Sequence, residues 1–396
     1  MRLSLTRYSS LTVKAALCGL PPAIFVTRFL SLVKTYYSVP INLLQDRLSE
    51  YQMSQYWWKD LLDRNGHWQG LELQVQESDS PVQAMEMLSG HHGRMALQLQ
   101  GETLFWATML ADHSGVWLVF NADHPGQQSM LPPVTSADVE WVQKQAVQDP
   151  LREWCRYFAR QLMAAPTPLL PARRWLLRPM MPVSTAPRPL AQRQPVADWR
   201  FESPASAGNI GCDWVLYGED FPDVADPQKV MLVDWWWGGN LLRGRYPIDR
   251  NAGRLKWWRK KSREGTLPPV LVWYIAGLAS FVILDGHYRL QAAIDEGIPP
   301  EFVVLSELNE RTFTPDPDQQ ARVVKALEMQ QRNPGFNVEG INQTLINLYD
   351  TRYLYASTHS RAILGEGTGW AQDLKSYLQK HQLSEYLERI MARVSE

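Results

Sequence analysis

Residues 267–305 read LPPVLVWYIAGLASFVILDGHYRLQAAIDEGIPPEFVVL. This order dictates strand, turn, strand, helix, strand. Val270 to Ile275 is a continuous apolar and aromatic run, rich in β-formers and too short for a free-standing helix. Gly277 marks a short turn, and Ser280 to Leu284 is a second run of the same kind. Together they predict a hairpin covered on both faces. Asp285 is a good N-cap residue for the segment that follows. Leu290, Ala293 and Ile294 give that helix one apolar face, Gly297 stops it, and Pro299-Pro300 prevents its continuation. Glu301 to Leu305 then returns as a strand.

A helix that begins at a glycine directly off a strand points unpaired amides at whatever lies above it, and its dipole favours an anion there. Gly286 admits a ligand close to the backbone, and His287 and Arg289 add donors. Spacing alone gives equal weight to a plainer alternative. In it Asp285 caps, Gly286 turns and Arg289 is a solvated charge.

The run Asp285-Gly286-His287-Tyr288-Arg289, followed by Ala292-Ala293 and Gly297, resembles the ParB/sulfiredoxin superfamily. The lead-in Leu267-Pro268-Pro269-Val270-Leu271-Val272 resembles it as well. The resemblance spans Arg243 to Leu305, about a sixth of the 396 residues. In that superfamily the turn holds nucleotide phosphates; members include CTP-binding partition proteins, ATP-using sulfiredoxins and a free-serine kinase. For this chain it implies ATP or CTP, with or without Mg²⁺, held by Asp285, Gly286, His287 and Arg289. Two departures limit the likeness. His287 stands where sulfiredoxins carry their nucleophilic cysteine, which argues against sulfinic acid repair. No helix-turn-helix DNA reader is evident after Leu305.

Just upstream, Arg243, Arg245, Arg250, Arg254, Lys256, Arg259, Lys260, Lys261 and Arg263 crowd one window, opposed within it by Asp249 and interleaved with Trp257 and Trp258. Basic stripes attract phosphates and aromatic faces stack bases. The plain account buries Leu255 and Trp258 and solvates the other face. In the superfamily this helix lies beside the nucleotide pocket, which favours phosphate binding in cis over a polynucleotide backbone. Phosphoryl transfer needs positioning and charge neutralisation. Arg250 and Arg254 would supply the charge. Asp249 or Asp234 would orient a nucleophile or Mg²⁺, so Asp249 and His287 are the catalytic candidates.

The formal charge of −1 argues for no particular partner, and three scattered cysteines fit a reducing cytoplasm. Residues 1–40 read as an N-terminal arm, favoured over an export signal and too interrupted for a stable membrane span. Residues 41–163 read as an α+β domain with an antiparallel sheet. Helix is expected over Ile41–Asp63, Pro81–Leu88 and Thr135–Leu162, with Ser136 as a cap. Strands are expected over Trp68–Val75, Met95–Leu99, Thr103–Leu110 and Val116–Phe120. His67, His91, His92, His113 and His124 sit mostly in turns beside Gly or Asp and lack metal-ligand spacing.

Residues 164–198, rich in Pro and Arg, read as a semi-rigid linker and the main domain boundary. Residues 199–310 are expected to form the domain that resembles the ParB/sulfiredoxin superfamily. There Glu219, Asp220, Asp223 and Asp226 make an acidic loop, solvated or holding Mg²⁺. Val230–Trp237 reads as a strand carrying Asp234. Residues 311–396 are expected to be helical, packing over the site or forming a homodimer. The fold class is thus α+β. The expected function is a nucleotide-binding protein with nucleoside triphosphatase or kinase-like activity. The alternatives are a DNA- or RNA-binding module, or a regulatory protein without turnover.

Overall fold

The expected hairpin lies within the larger of two sheets. The computed structural model describes residues 56–394, apart from 78–83, 128–129, 146–148, 166–167, 184–192, 207, 237–239, 315, 331–336 and 350. The N-terminal arm and the expected helix up to residue 55 lie outside the described residues. In chain order come β1 (Tyr56–Leu62), β2 (Trp68–Val75), β3 (Glu86–Ser89), β4 (Arg94–Leu99), β5 (Glu102–Met109) and β6 (Gly115–Phe120). Helices α1 (Ser136–Gln145) and α2 (Pro150–Met163) follow. Next come β7 (Arg174–Val183), β8 (Arg200–Glu202), β9 (Ile210–Gly211), β10 (Val215–Tyr217), β11 (Val230–Asp234) and β12 (Leu241–Arg243). The central run is α3 (Gly253–Arg263), β13 (Val270–Ile275), β14 (Ser280–Asp285), α4 (His287–Glu296) and β15 (Phe302–Thr312). Last are α5 (Pro317–Gln330), α6 (Val338–Tyr349), β16 (Arg352–Ser357), β17 (Ser360–Ala362), α7 (Thr368–Lys380) and α8 (Leu387–Ala392).

The larger sheet has eleven strands, with the order β1-β2-β7-β15-β13-β14-β12 along its main path; the other runs β11-β6-β5-β4-β3-β17. Strand alternation divides the core. Leu271, Trp273, Val282, Leu284, Val303 and Leu305 face one side, toward Leu97, Phe105 and Leu118 of the smaller sheet and Trp154 and Phe158 of α2. Val270, Val272, Phe281, Ile283, Phe302 and Val304 face the other, toward Trp199, Phe201, Trp214 and Leu290. The hairpin is therefore covered on both faces, as its unbroken apolar runs require.

Several expectations change. The supposed linker contributes β7, which pairs antiparallel with β2 on one side and β15 on the other. It joins the two expected domains rather than separating them. Pro179 is tolerated because it falls between the end of β2 pairing at Leu177 and the start of β8 pairing at Met181. Only one neighbour claims the strand's amides there. Arg178, fully buried, donates to the Cys212 carbonyl (2.7 Å) and to Gln69 Oε1 (2.7 Å).

Tyr56–Leu62 is a strand rather than the end of a helix, because its ladder with β2 outweighs helical spacing. Glu86–Ser89 is likewise a strand. The expected helix 135–162 is two helices. Asp149 caps the second by accepting from the Arg152 amide (3.1 Å), with Pro150 in its first turn. The C-terminal region adds β16 and β17, and α7 and α8 lay Trp370, Leu374, Leu378 and Ile390 on Trp106 and Trp117 of the smaller sheet. Among the described residues, no helix is long and apolar enough to cross a membrane.

Candidate functional site

β12 and β14 run parallel, so both end at the same edge of the sheet. Gly286, in the left-handed region at φ 111°, swings the chain from β14 into α4. It, and not Asp285, is the N-cap residue, and no side chain caps this helix. Asp285 instead accepts from Arg289 Nη2 at 2.8 Å. The carboxylate turns toward the guanidinium because a buried cation without a counter-charge is the costlier defect. Gly297, at φ 66°, ends the helix as expected.

Arg289 is 1% exposed, not solvated. Its Nη2 also donates to the Pro269 carbonyl (3.1 Å), and its guanidinium lies 5.6 Å from the Trp258 ring. It crosses directly over the turn, since a Cβ on Gly286 would stand 2.9 Å from Nη2. The glycine is thus needed for its positive φ and for this close approach. His287 is equally buried, and its Nε2 accepts from the Arg245 amide at 3.0 Å. The proton of the neutral ring therefore sits on Nδ1. Burial, reinforced by Arg245 and Arg289, holds this imidazole well below the usual histidine range. Tyr246 stacks on it, with ring centroids 3.9 Å apart.

Arg243 and Arg245 are also buried. Burial pulls both down to about 10, still cationic at neutral pH. Arg245 donates to the Ile283 and Leu284 carbonyls, each at 2.7 Å. Among the described residues, Arg289 Nε and Nη1, His287 Nδ1 and Arg243 Nε have no hydrogen-bond partner although they are buried. Each such donor carries a desolvation cost that a bound acceptor would remove.

Four of the predicted residues, Asp285, Gly286, His287 and Arg289, therefore converge. The others sit at the rim or away. The Asp249 amide donates to the Tyr288 hydroxyl (3.2 Å), while its exposed carboxylate accepts from the Asn251 amide (2.8 Å). Arg254 lies 5.6 Å from the Tyr288 ring, and Arg250 pairs with Asp223 at 3.2 Å. Asp234 is not brought in. It ends β11 beside Gly115, and the next residue, Trp235, donates to Leu278 at the far end of the hairpin. That is the length of a six-residue strand away, about 20 Å.

Much of the basic stripe is used internally. Arg259 and Arg263 bind the buried Glu296 (2.6 and 2.7 Å), and Lys260 and Lys261 pair with Glu264. Of the turn histidines, His124 is buried, its Nδ1 accepting from the Gly126 amide at 2.9 Å. Among the described residues, no group of three or more His, Cys, Asp or Glu side chains is placed to hold a metal ion.

Sequence reasoning missed Tyr246, Trp258 as the surface under Arg289, and the Pro269 carbonyl. Trp258 was legible as a buried position, but its pairing with Arg289 depends on how α3 crosses α4. Compared with protein-family models, curated proteins and solved structures, the chain matches none.

Proposed function

We propose that this chain binds the phosphate of a nucleotide, ATP or CTP, at the β14–α4 turn. The observation that carries the reading is the set of buried donors without partners on Arg289 and His287. Those of Arg289 and His287 lie in the first turn of α4, where the dipole adds to the attraction for an anion. Asp285 retains Nη2 of Arg289, and Nε and Nη1 remain for a ligand. His287 serves as a neutral donor through Nδ1. Its acceptor nitrogen is occupied by the Arg245 amide, which suits holding a phosphate better than abstracting a proton. In a triphosphatase or phosphotransferase, Asp249 at the rim is the carboxylate best placed to orient a nucleophile.

A polynucleotide-binding reading is less favoured, because Arg250, Arg259, Lys260, Lys261 and Arg263 are all in ion pairs. Titrating nucleoside triphosphates calorimetrically into the wild type and Arg289→Lys tests the proposal. The substitution keeps the charge beside Asp285 and removes the guanidinium's additional donors.

A further inference from the structure

Asp123, Lys229 and His381 come from separate elements and meet beside the end of β6. Asp123 stands in the turn after β6, Lys229 directly precedes β11, and His381 closes α7. Phe120 ties them together. Its amide donates to the Lys229 carbonyl (2.8 Å), and its carbonyl accepts from the Tyr377 hydroxyl (2.6 Å). That hydroxyl accepts from the Ala122 amide (3.1 Å), and the Tyr377 and His381 ring centroids are 4.4 Å apart. The Asp123 amide donates to Asn121 Oδ1 at 3.1 Å, which sets the turn. The imidazole is thereby held with each nitrogen on a different group. Nε2 lies 2.9 Å from Asp123 Oδ2, and Nδ1 lies 3.2 Å from Lys229 Nζ. An ammonium has no lone pair, so Nδ1 accepts from Lys229, and the ring proton on Nε2 donates to the carboxylate. Lys380 Nζ donates to the same carboxylate oxygen at 2.9 Å. These hydrogen bonds, from Lys380 and from His381, hold the Asp123 carboxyl below its usual range.

A nucleophile within hydrogen-bond reach of a base, whose other nitrogen is oriented by a third group, is the arrangement that activates side chains for covalent chemistry. We propose that Lys229 is a self-acylation site for small acyl phosphates, with His381 as its general base and Asp123 positioning that base. The ammonium first loses one proton to solvent. Because Nδ1 accepts an N–H of the resulting amine, its lone pair remains free to attack. The C–N bond to the acyl carbon forms while Nδ1 takes a second proton from the nitrogen. The C–O bond to phosphate breaks, its electron pair leaves on the phosphate oxygen, and the phosphate takes the proton from Nδ1. The products are an Nε-acyl-lysine and inorganic phosphate, with no further reactant consumed. Asp123 and the last carbonyls of α7 both stabilise the transient imidazolium. Lys229 and Lys380 together outweigh the charge of Asp123, which favours an anionic acyl donor. Lys229 and Asp123 are exposed, so the reagent reaches the amine. The proposal is independent of the phosphate site at the β14–α4 turn.

The test incubates the full chain with acetyl phosphate and follows acetylation of each lysine over time by peptide mass spectrometry. Lys375, exposed on α7, is the internal reference. Lys229 should react about tenfold faster than Lys375, less than general bases achieve in closed sites because this one is open to water. His381→Phe keeps a ring against Tyr377 and removes the base. It should bring the Lys229 rate down to that of Lys375 and leave Lys375 itself unchanged. Asp123→Asn keeps an acceptor for Nε2 and removes the charge. It should slow Lys229 severalfold at an unchanged melting temperature and an unchanged Lys375 rate. Equal rates at Lys229 and Lys375 in the wild type, or a Lys229 rate unaltered in folded His381→Phe, would overturn the assignment. Should His381→Phe fail to fold, an unaltered Lys229 rate in Asp123→Asn overturns it instead.

Discussion

At the residue scale, the turn was legible by type and only partly by role. The strand-to-helix turn at Gly286 was readable from the apolar run before it and the helical face after it, while spacing alone weighted phosphate holding and a plain cap-and-turn equally. The swap of roles between Asp285 and Gly286 was not legible. It depends on Arg289 lying back across the turn, over the ring of Trp258 from another helix. The state of His287 yields a prediction. Its folded pKa lies below the unfolded value of about 6.5. Between those two values the unfolded chain binds the extra proton. The group's contribution is therefore complete above about 6.5 and is lost as pH falls toward the folded pKa, at up to about 1.4 kcal/mol per pH unit. His287→Gln keeps an acceptor for the Arg245 amide and does not titrate. Its melting temperature should fall less than the wild type's between pH 7.5 and 5.5, as followed by circular dichroism. Parallel curves would show that His287 is not buried as a neutral ring.

At the element scale, β13, β14 and α4 were readable because each carries its own signal: an unbroken apolar run, a helical face, a glycine stop. β7 was not readable, because its Pro and Arg content describes an extended chain equally well in a linker or in a sheet. Its place was decided by partners distant in sequence, Leu71 to Gln74 and Phe302 to Glu307. The α5–α6 pair is an insertion between β15 and β16. Thr312 pairs with Arg352, and the Phe313 amide donates to the Thr351 carbonyl (3.0 Å) at its base. Among its described side chains, Leu327 and Ile341 are the buried hydrophobic ones. Replacing residues 313–351 with a two-residue Asn-Gly turn should leave the melting temperature within about 4 °C of the full chain. A much larger drop would show that the helices support the sheet.

At the scale of the whole molecule, the expected two-domain division does not hold for residues 56–396, which group as one compact unit. The expected boundary runs through shared cores. Trp175 and Leu177 of β7 pack with Trp273 of β13, and Leu176 and Met180 pack with Phe281 and Phe302. A fragment of residues 199–310 would lose β7 beside β15, exposing an edge of the sheet. It should show no cooperative thermal transition by calorimetry; a sharp, reversible one would restore the independent domain.

The central claim concerns the turn where β14 meets α4, and calorimetric titration of ATP, CTP, GTP and UTP, with and without Mg²⁺, into wild type and Arg289→Lys tests it most directly. Saturable binding of ATP or CTP to the wild type, weakened at least tenfold in Arg289→Lys, is the predicted result. Equal affinity in the two proteins, or no heat with any of the four nucleotides, would contradict it.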